Sequence, residues 1–134
     1  MFAPFKTHAS AYSSILVETG IHDADSHQLV AMLLDGALTA IANAVNALER
    51  RDVPAKCKAV SKAVTIIDEG LRGALDMQGG GQVAVTLQDL YACVLIRLTR
   101  ANVQNDAAML RECSQLLSPV RDAWNSIRPQ RIAA

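Results

Sequence analysis

Aromatic residues are scarce: two Phe, two Tyr and one Trp, 4% of 134 residues. The core must therefore be filled by aliphatic and small side chains, and 22 alanines supply the small ones. That composition favours closely packed helices over a sandwich of β-branched strands. Net charge is absent too, since 13 Lys and Arg balance 13 Asp and Glu. Such a chain lacks the excess of cations that displaces counterions from nucleic acid or docks on an anionic membrane. Cysteine is limited to Cys57, Cys93 and Cys113. Their odd number and the lack of any Cys-x-x-Cys pair argue against a disulfide framework and for reduced thiols packed as small hydrophobes. No unbroken apolar run approaches the roughly 18 residues of a membrane span, and MFAPFKTHAS has no apolar signal core. These absences predict a cytoplasmic protein with no membrane insertion and no nucleic-acid partner.

What is present is apolar residues at helical spacing, with no period-two run long enough for a strand. Residues 1–10 read as a loose arm, and AYSSILVET as a short helix closed by Gly20. The second helix has Asp25 as N-cap and ends near Arg50 and Arg51. Asp52 and Pro54 start the third, which is expected to run to about Gln78. The fourth is expected over about Val83 to Asn102. The fifth carries Met109 to Trp124, with Pro119 predicted to kink it. Loops of about three to six residues force neighbours to run antiparallel. The fold class is all-α: an antiparallel four-helix bundle with a short extra N-terminal helix, one domain over 11–127, and a frayed tail at 128–134.

The helices hold more apolar surface than a bundle seam requires. On the second, Leu29, Leu33, Ala37, Ala40, Ala44 and Ala47 form one flank. Val30, Leu34, Leu38, Ile41, Val45 and Leu48 form another, and together they span roughly 200° where somewhat over 100° suffices. The third helix has a main stripe of Cys57, Val60, Val64, Ile67, Leu71 and Leu75. Beside it runs a stripe of mostly small residues, Ala59, Ala63, Ile66, Gly70 and Ala74. On the fourth, Leu87, Leu90, Tyr91, Val94 and Leu98 face inward while Val85, Ala92 and Ile96 lie on the other side. Two explanations fit: central helices touching several neighbours, or a groove for a partner's amphipathic helix. On the second, the candidate partner-binding residues are Tyr12, Leu16, Leu34, Leu38, Ile41, Val45, Ala59, Ala63, Ile66, Val85 and Ile96.

Motifs for chemistry are weak. HDADSH gathers His22, Asp23, Asp25 and His27, but the histidines are five apart rather than four, and helix capping explains the cluster better than a metal. No Glu-x-x-His occurs. Gly79, Gly80 and Gly81 follow no strand and precede no Gly-Lys-Ser/Thr, so they read as a turn rather than a phosphate loop. No catalytic residue, metal site or cofactor is expected.

HQLVAMLLDGALTAI, AVSKAVTIIDEGLRGALD, GGQVAVTLQDLY, RLTRANVQND and RDAW stand in that order between Tyr12 and Trp124. Together they resemble FliS, the flagellin-specific export chaperone family of bacterial flagella. The resemblance implies a cytoplasmic, non-enzymatic bundle that binds the disordered C-terminal region of flagellin. Binding would block premature polymerisation and keep the subunit competent for type III export through the gate component FlhA. It also implies that the N-terminal arm, with Tyr12, lies over the binding groove. The chain departs from the family pattern at Asp25-Ser26-His27, where Ser-Pro-His is common, and at Cys93, where a tyrosine is common. Exposed flanks would also favour weak self-association as a homodimer. The alternative is a helical adaptor for another flagellar partner, such as the anti-sigma factor FlgM or a co-chaperone.

Overall fold

The computed structural model describes residues 26–127. Four helices make up this region and no strand occurs among the described residues: α1 (Ser26–Glu49), α2 (Val53–Thr65), α3 (Gly81–Gln104) and α4 (Ala107–Ser126). The short N-terminal helix expected at 11–19 and the Asp25 cap lie outside the described residues.

Local chemistry sets the helix ends. Asp52 caps α2, accepting from Ala55 N–H at 3.1 Å, with Pro54 in the first turn where no donor is lost. Asp106 caps α4 in the same way, accepting from Met109 N–H at 3.0 Å. α1 ends on Arg51 at φ 60°, with Arg51 N–H bonded to Leu48 O at 2.9 Å and Asp52 N–H to Ala47 O at 2.8 Å. That is a Schellman closure made without glycine. Asn105, at φ 52°, turns the chain out of α3. α3 therefore runs two residues past the expected Asn102. Pro119 lies inside α4, which continues through it to Ser126.

The largest departure concerns the third helix. Instead of continuing to Gln78, it widens after Thr65 into a π-helical stretch, Ile66–Leu71, closed by Arg72 N–H to Ile67 O at 2.9 Å. The wider turn brings two adjacent pairs inward, Ile66 with Ile67 and Gly70 with Leu71, all buried. Gly70 makes a close approach there, since an added Cβ would meet two Leu33 methyls at 3.1 and 3.3 Å and Leu33 would have to give way by a few tenths of an ångström. Asp76 then caps an open turn through Gln78 and Gly79 N–H. Gly81 opens α3 at φ +58°, a conformation that disfavours any side chain.

Side-chain links report the helix directions. From α1 to α4 they are His27–Trp124, Asp35–Arg121 and Glu49–Arg111, one number rising as the other falls. Lys56 at the start of α2 meets Asn102 at the end of α3. Arg97 of α3 meets Glu112 of α4 across their hairpin. Each helix thus lies antiparallel to its neighbours in a ring in which α1 touches α2 and α4, and α3 does likewise. The core is aliphatic apart from Tyr91 and Cys113.

α1 is long and apolar enough, on average, to cross a membrane, although no unbroken apolar run suggests it. Its largest apolar side chains, Leu34 and Ile41 among them, are used up in the bundle.

Candidate partner-binding face

The expected partner-binding residues separate into four groups. Tyr12 and Leu16 lie outside the described residues. Leu34, Ile41, Ala63 and Ile66 are core residues, at most 5% exposed. The surplus flank of α1 and the small stripe of α2 are spent on each other and on α4. The alanines and Gly70 let the backbones approach, so these four offer no open surface. Leu38, Val45 and Ala59 are half-buried beside the core. Val85 and Ile96 stand open on α3, at 40% and 60% exposure.

The spacing of α3 explains the last pair. Its inward line is Ala84, Tyr91, Val94, Leu98 and Ala101, all buried. Val85, Ala92, Ile96, Thr99 and Val103 follow at steps of seven, four, three and four, and at 100° per residue they fall within about 60° of one another on the outer side. Val103 is 78% exposed. The C-terminal half of this stripe borders a groove of about 520 Å³ lined by Leu95, Ile96, Thr99, Arg100, Val103 and Gln104. Thr99 Oγ1 donates to Leu95 O at 3.0 Å, so its hydroxyl is already satisfied and adds little polarity. Arg97 and Glu112, paired at 2.6 Å, edge the face with a neutral rim.

Leu95, Thr99 and Val103 were not among the residues expected from sequence. The signal was present, since Val103 is seven residues beyond Ile96. It was lost because the helix was expected to end at Asn102. Val83 and Met77, at 68% and 42% exposure, extend apolar surface toward the preceding turn.

Two buried reactive groups are held quiet. Burial pushes the Cys113 thiol up to about 11 and the Tyr91 phenol up to about 12, so neither ionises near neutrality. Of the HDADSH cluster, His27 stacks on Trp124 with ring centroids 4.8 Å apart. His22, Asp23 and Asp25 lie outside the described residues. No three His, Cys, Asp or Glu side chains converge to hold a metal ion among the described residues.

Fold and surface together define a class: a small antiparallel helical bundle that closes its core and, among the described residues, leaves an apolar face of α3 uncovered. The particular family follows from comparison. The family model "Flagellar protein FliS" matches residues 8–131, and the chain belongs to the FliS family of flagellar secretion chaperones. It is 44% identical over 120 residues to the flagellar secretion chaperone FliS of Salmonella typhimurium, covering 90% of this chain and 89% of that protein. It is 40% identical over 116 residues to FliSB of Pseudomonas aeruginosa, covering 87% and 91%. With FliS of Bacillus subtilis the identity is 31% over 107 residues, covering 80% and 78%.

Proposed function

We propose that this protein is a cytoplasmic export chaperone that binds the disordered C-terminal region of flagellin, and that the outer face of α3 is a main contact. The observation that carries the reading is the run Val85, Ile96 and Val103, apolar and exposed among the described residues, with half-buried Ala92 between them, on a helix whose other side is buried in the core. A segment that orders on binding must bury a large apolar area to offset its lost entropy. An amphipathic helix of flagellin laid along α3 would find that area and cover its own polymerisation surface in doing so. Half-buried Leu38 and Val45 give a wrapping segment further contact. Tyr12 belongs to the N-terminal arm that the family resemblance implies lies over the groove, and apolar Leu16 on the same segment adds a further contact. The loaded chaperone would then present flagellin to the export gate component FlhA. The work is done by binding and release, with no catalytic step.

The test compares full-length flagellin with flagellin lacking its C-terminal segment, against wild type and an Ile96→Asp/Val103→Asp variant. Two apolar side chains at about 1.5–3 kcal/mol each correspond to a loss of roughly 100-fold or more in affinity. Both positions are exposed, so melting temperature should be unchanged. Equal binding of the two flagellins, or full binding by the double variant, rejects the reading.

A further inference from the structure

The cations of this neutral chain are unevenly placed. Arg50, Arg51, Lys56, Lys58 and Lys62 fall within 13 residues that hold one carboxylate, Asp52. Elsewhere Arg72, Arg97, Arg111 and Arg121 each sit against a carboxylate, and Arg100 stands as a single exposed cation on α3 rather than in a cluster. Lys58 and Lys62 are exposed and make no ion pair among the described residues. Arg50 has only a loose one, 3.9 Å from Asp52.

These unneutralised cations border a groove of about 340 Å³ between α1 and α2. Asn43, Asn46 and Arg50 form one wall, at steps of three and four residues. Lys58 and Lys62 form the other, one turn or about 6 Å apart along the axis. Ala47, Ala55 and Ala59 make the floor. Ala59 thus belongs to a surface that shares no residue with the α3 groove.

We propose that this groove docks an acidic helical segment of a partner protein. Carboxylates at i and i+4 on such a helix repeat at the spacing of Lys58 and Lys62, so both lysines meet a partner at once. Arg50 takes a third carboxylate, and its planar fork suits that geometry. The alanine floor lets the incoming backbone come close, as small residues do wherever helices pack tightly. Asn43 and Asn46 can both donate and accept, which suits polar side chains on the near edge of the helix. Nucleic acid fits less well: a phosphate track needs a longer run of cations than three, and Glu49 and Asp52 flank this one. The site is independent of flagellin binding at α3 and would let a second partner bind the loaded chaperone.

The probe is a fluorescein-labelled, amidated Ala/Glu peptide with glutamates at i, i+4 along one face, followed by fluorescence anisotropy. Wild type should bind it, with affinity falling between about 50 mM and about 200 mM salt. Lys58→Glu/Lys62→Glu should weaken binding roughly tenfold or more, while Arg100→Glu on α3 changes it less than about twofold. Should the charge reversal lower the melting temperature, Lys58→Gln/Lys62→Gln gives the same comparison with neutral side chains. The proposal is overturned by no binding, by equal loss in Arg100→Glu, or by equal affinity for a peptide of the same composition whose glutamates share no face. Tighter binding of a single-stranded oligothymidylate than of the peptide also overturns it, in favour of nucleic acid.

Discussion

Lys56 is 2% exposed, yet its Nζ donates to both the backbone and side-chain oxygens of Asn102 at 2.7 Å. The acceptors sit in the last turn of α3, where unpaired carbonyls favour a cationic partner. A buried lysine without them would be costly. Removing the lysine should therefore cost less than removing what satisfies it. Lys56→Met should stay within about 1 kcal/mol of wild type, whereas Asn102→Leu should lose about 1.5–3 kcal/mol. Urea unfolding of the two variants checks this, and the reverse order would refute it. Backbone conformation is equally local. Gly81 sits at φ +58° with open space around it, so Gly81→Ala should cost about 1–2 kcal/mol through strain alone. Arg51, at φ 60°, should tolerate glycine with a gain of up to about 1 kcal/mol. Thermal melts of both variants measure the two signs.

At the scale of elements, the bundle is fastened where the start of α1 meets the end of α4. His27 stacks on Trp124, the Trp124 indole N–H donates to His27 O at 2.8 Å, and His27 Nε2 donates to Trp124 O at 2.9 Å. This reciprocal clasp joins the first turn of α1 to the last turn of α4. Those two stretches, HQL and RDAW, lie within the fragments that carry the family resemblance. Trp124→Leu removes the stack and one bond and should cost about 2–4 kcal/mol. It should also raise hydrogen exchange in the first turns of α1 and the last of α4 while the α2–α3 core stays protected. Uniform loss of protection would show that the clasp belongs to the global core. The surface ion pairs Glu49–Arg111 and Asp35–Arg121 lie along the same seam and are mostly exposed, so they mark register more than they stabilise it.

At the scale of the whole molecule, stability should decline on the alkaline side. Cys113 and Tyr91 are each raised by burial, from 9.0 to about 11 and from 10.0 to about 12. The unfolded chain loses these protons first, so the native state binds more protons in that window and stability falls as pH rises. Their contribution is fully present below about pH 9 and is lost as pH climbs toward about 11–12. Urea midpoints across this range should fall, and Tyr91→Phe should flatten the decline above about pH 10. An unaltered slope in that variant would place the alkaline sensitivity elsewhere.

The sequence by itself determined the helical class, the helix start at Asp52 and Pro54 and the turn at Gly79–Gly81, and it carried the family resemblance. All of these depend on residues close in the chain, where spacing and backbone chemistry act directly. Only the tertiary structure decided which apolar flanks stay open. Leu34, Ile41, Ala63 and Ile66 look the same in sequence as Ile96, because periodicity reports that a face is apolar and not what covers it. Packing of α1 against α2 and α4 closed the first four, while α3 kept its outer stripe. The shift from α- to π-helix at Ile66 was equally invisible, and within it Gly70 meets Leu33, 37 residues away in the chain. The burial of Lys56 likewise needed Asn102, brought to it from another helix by the fold.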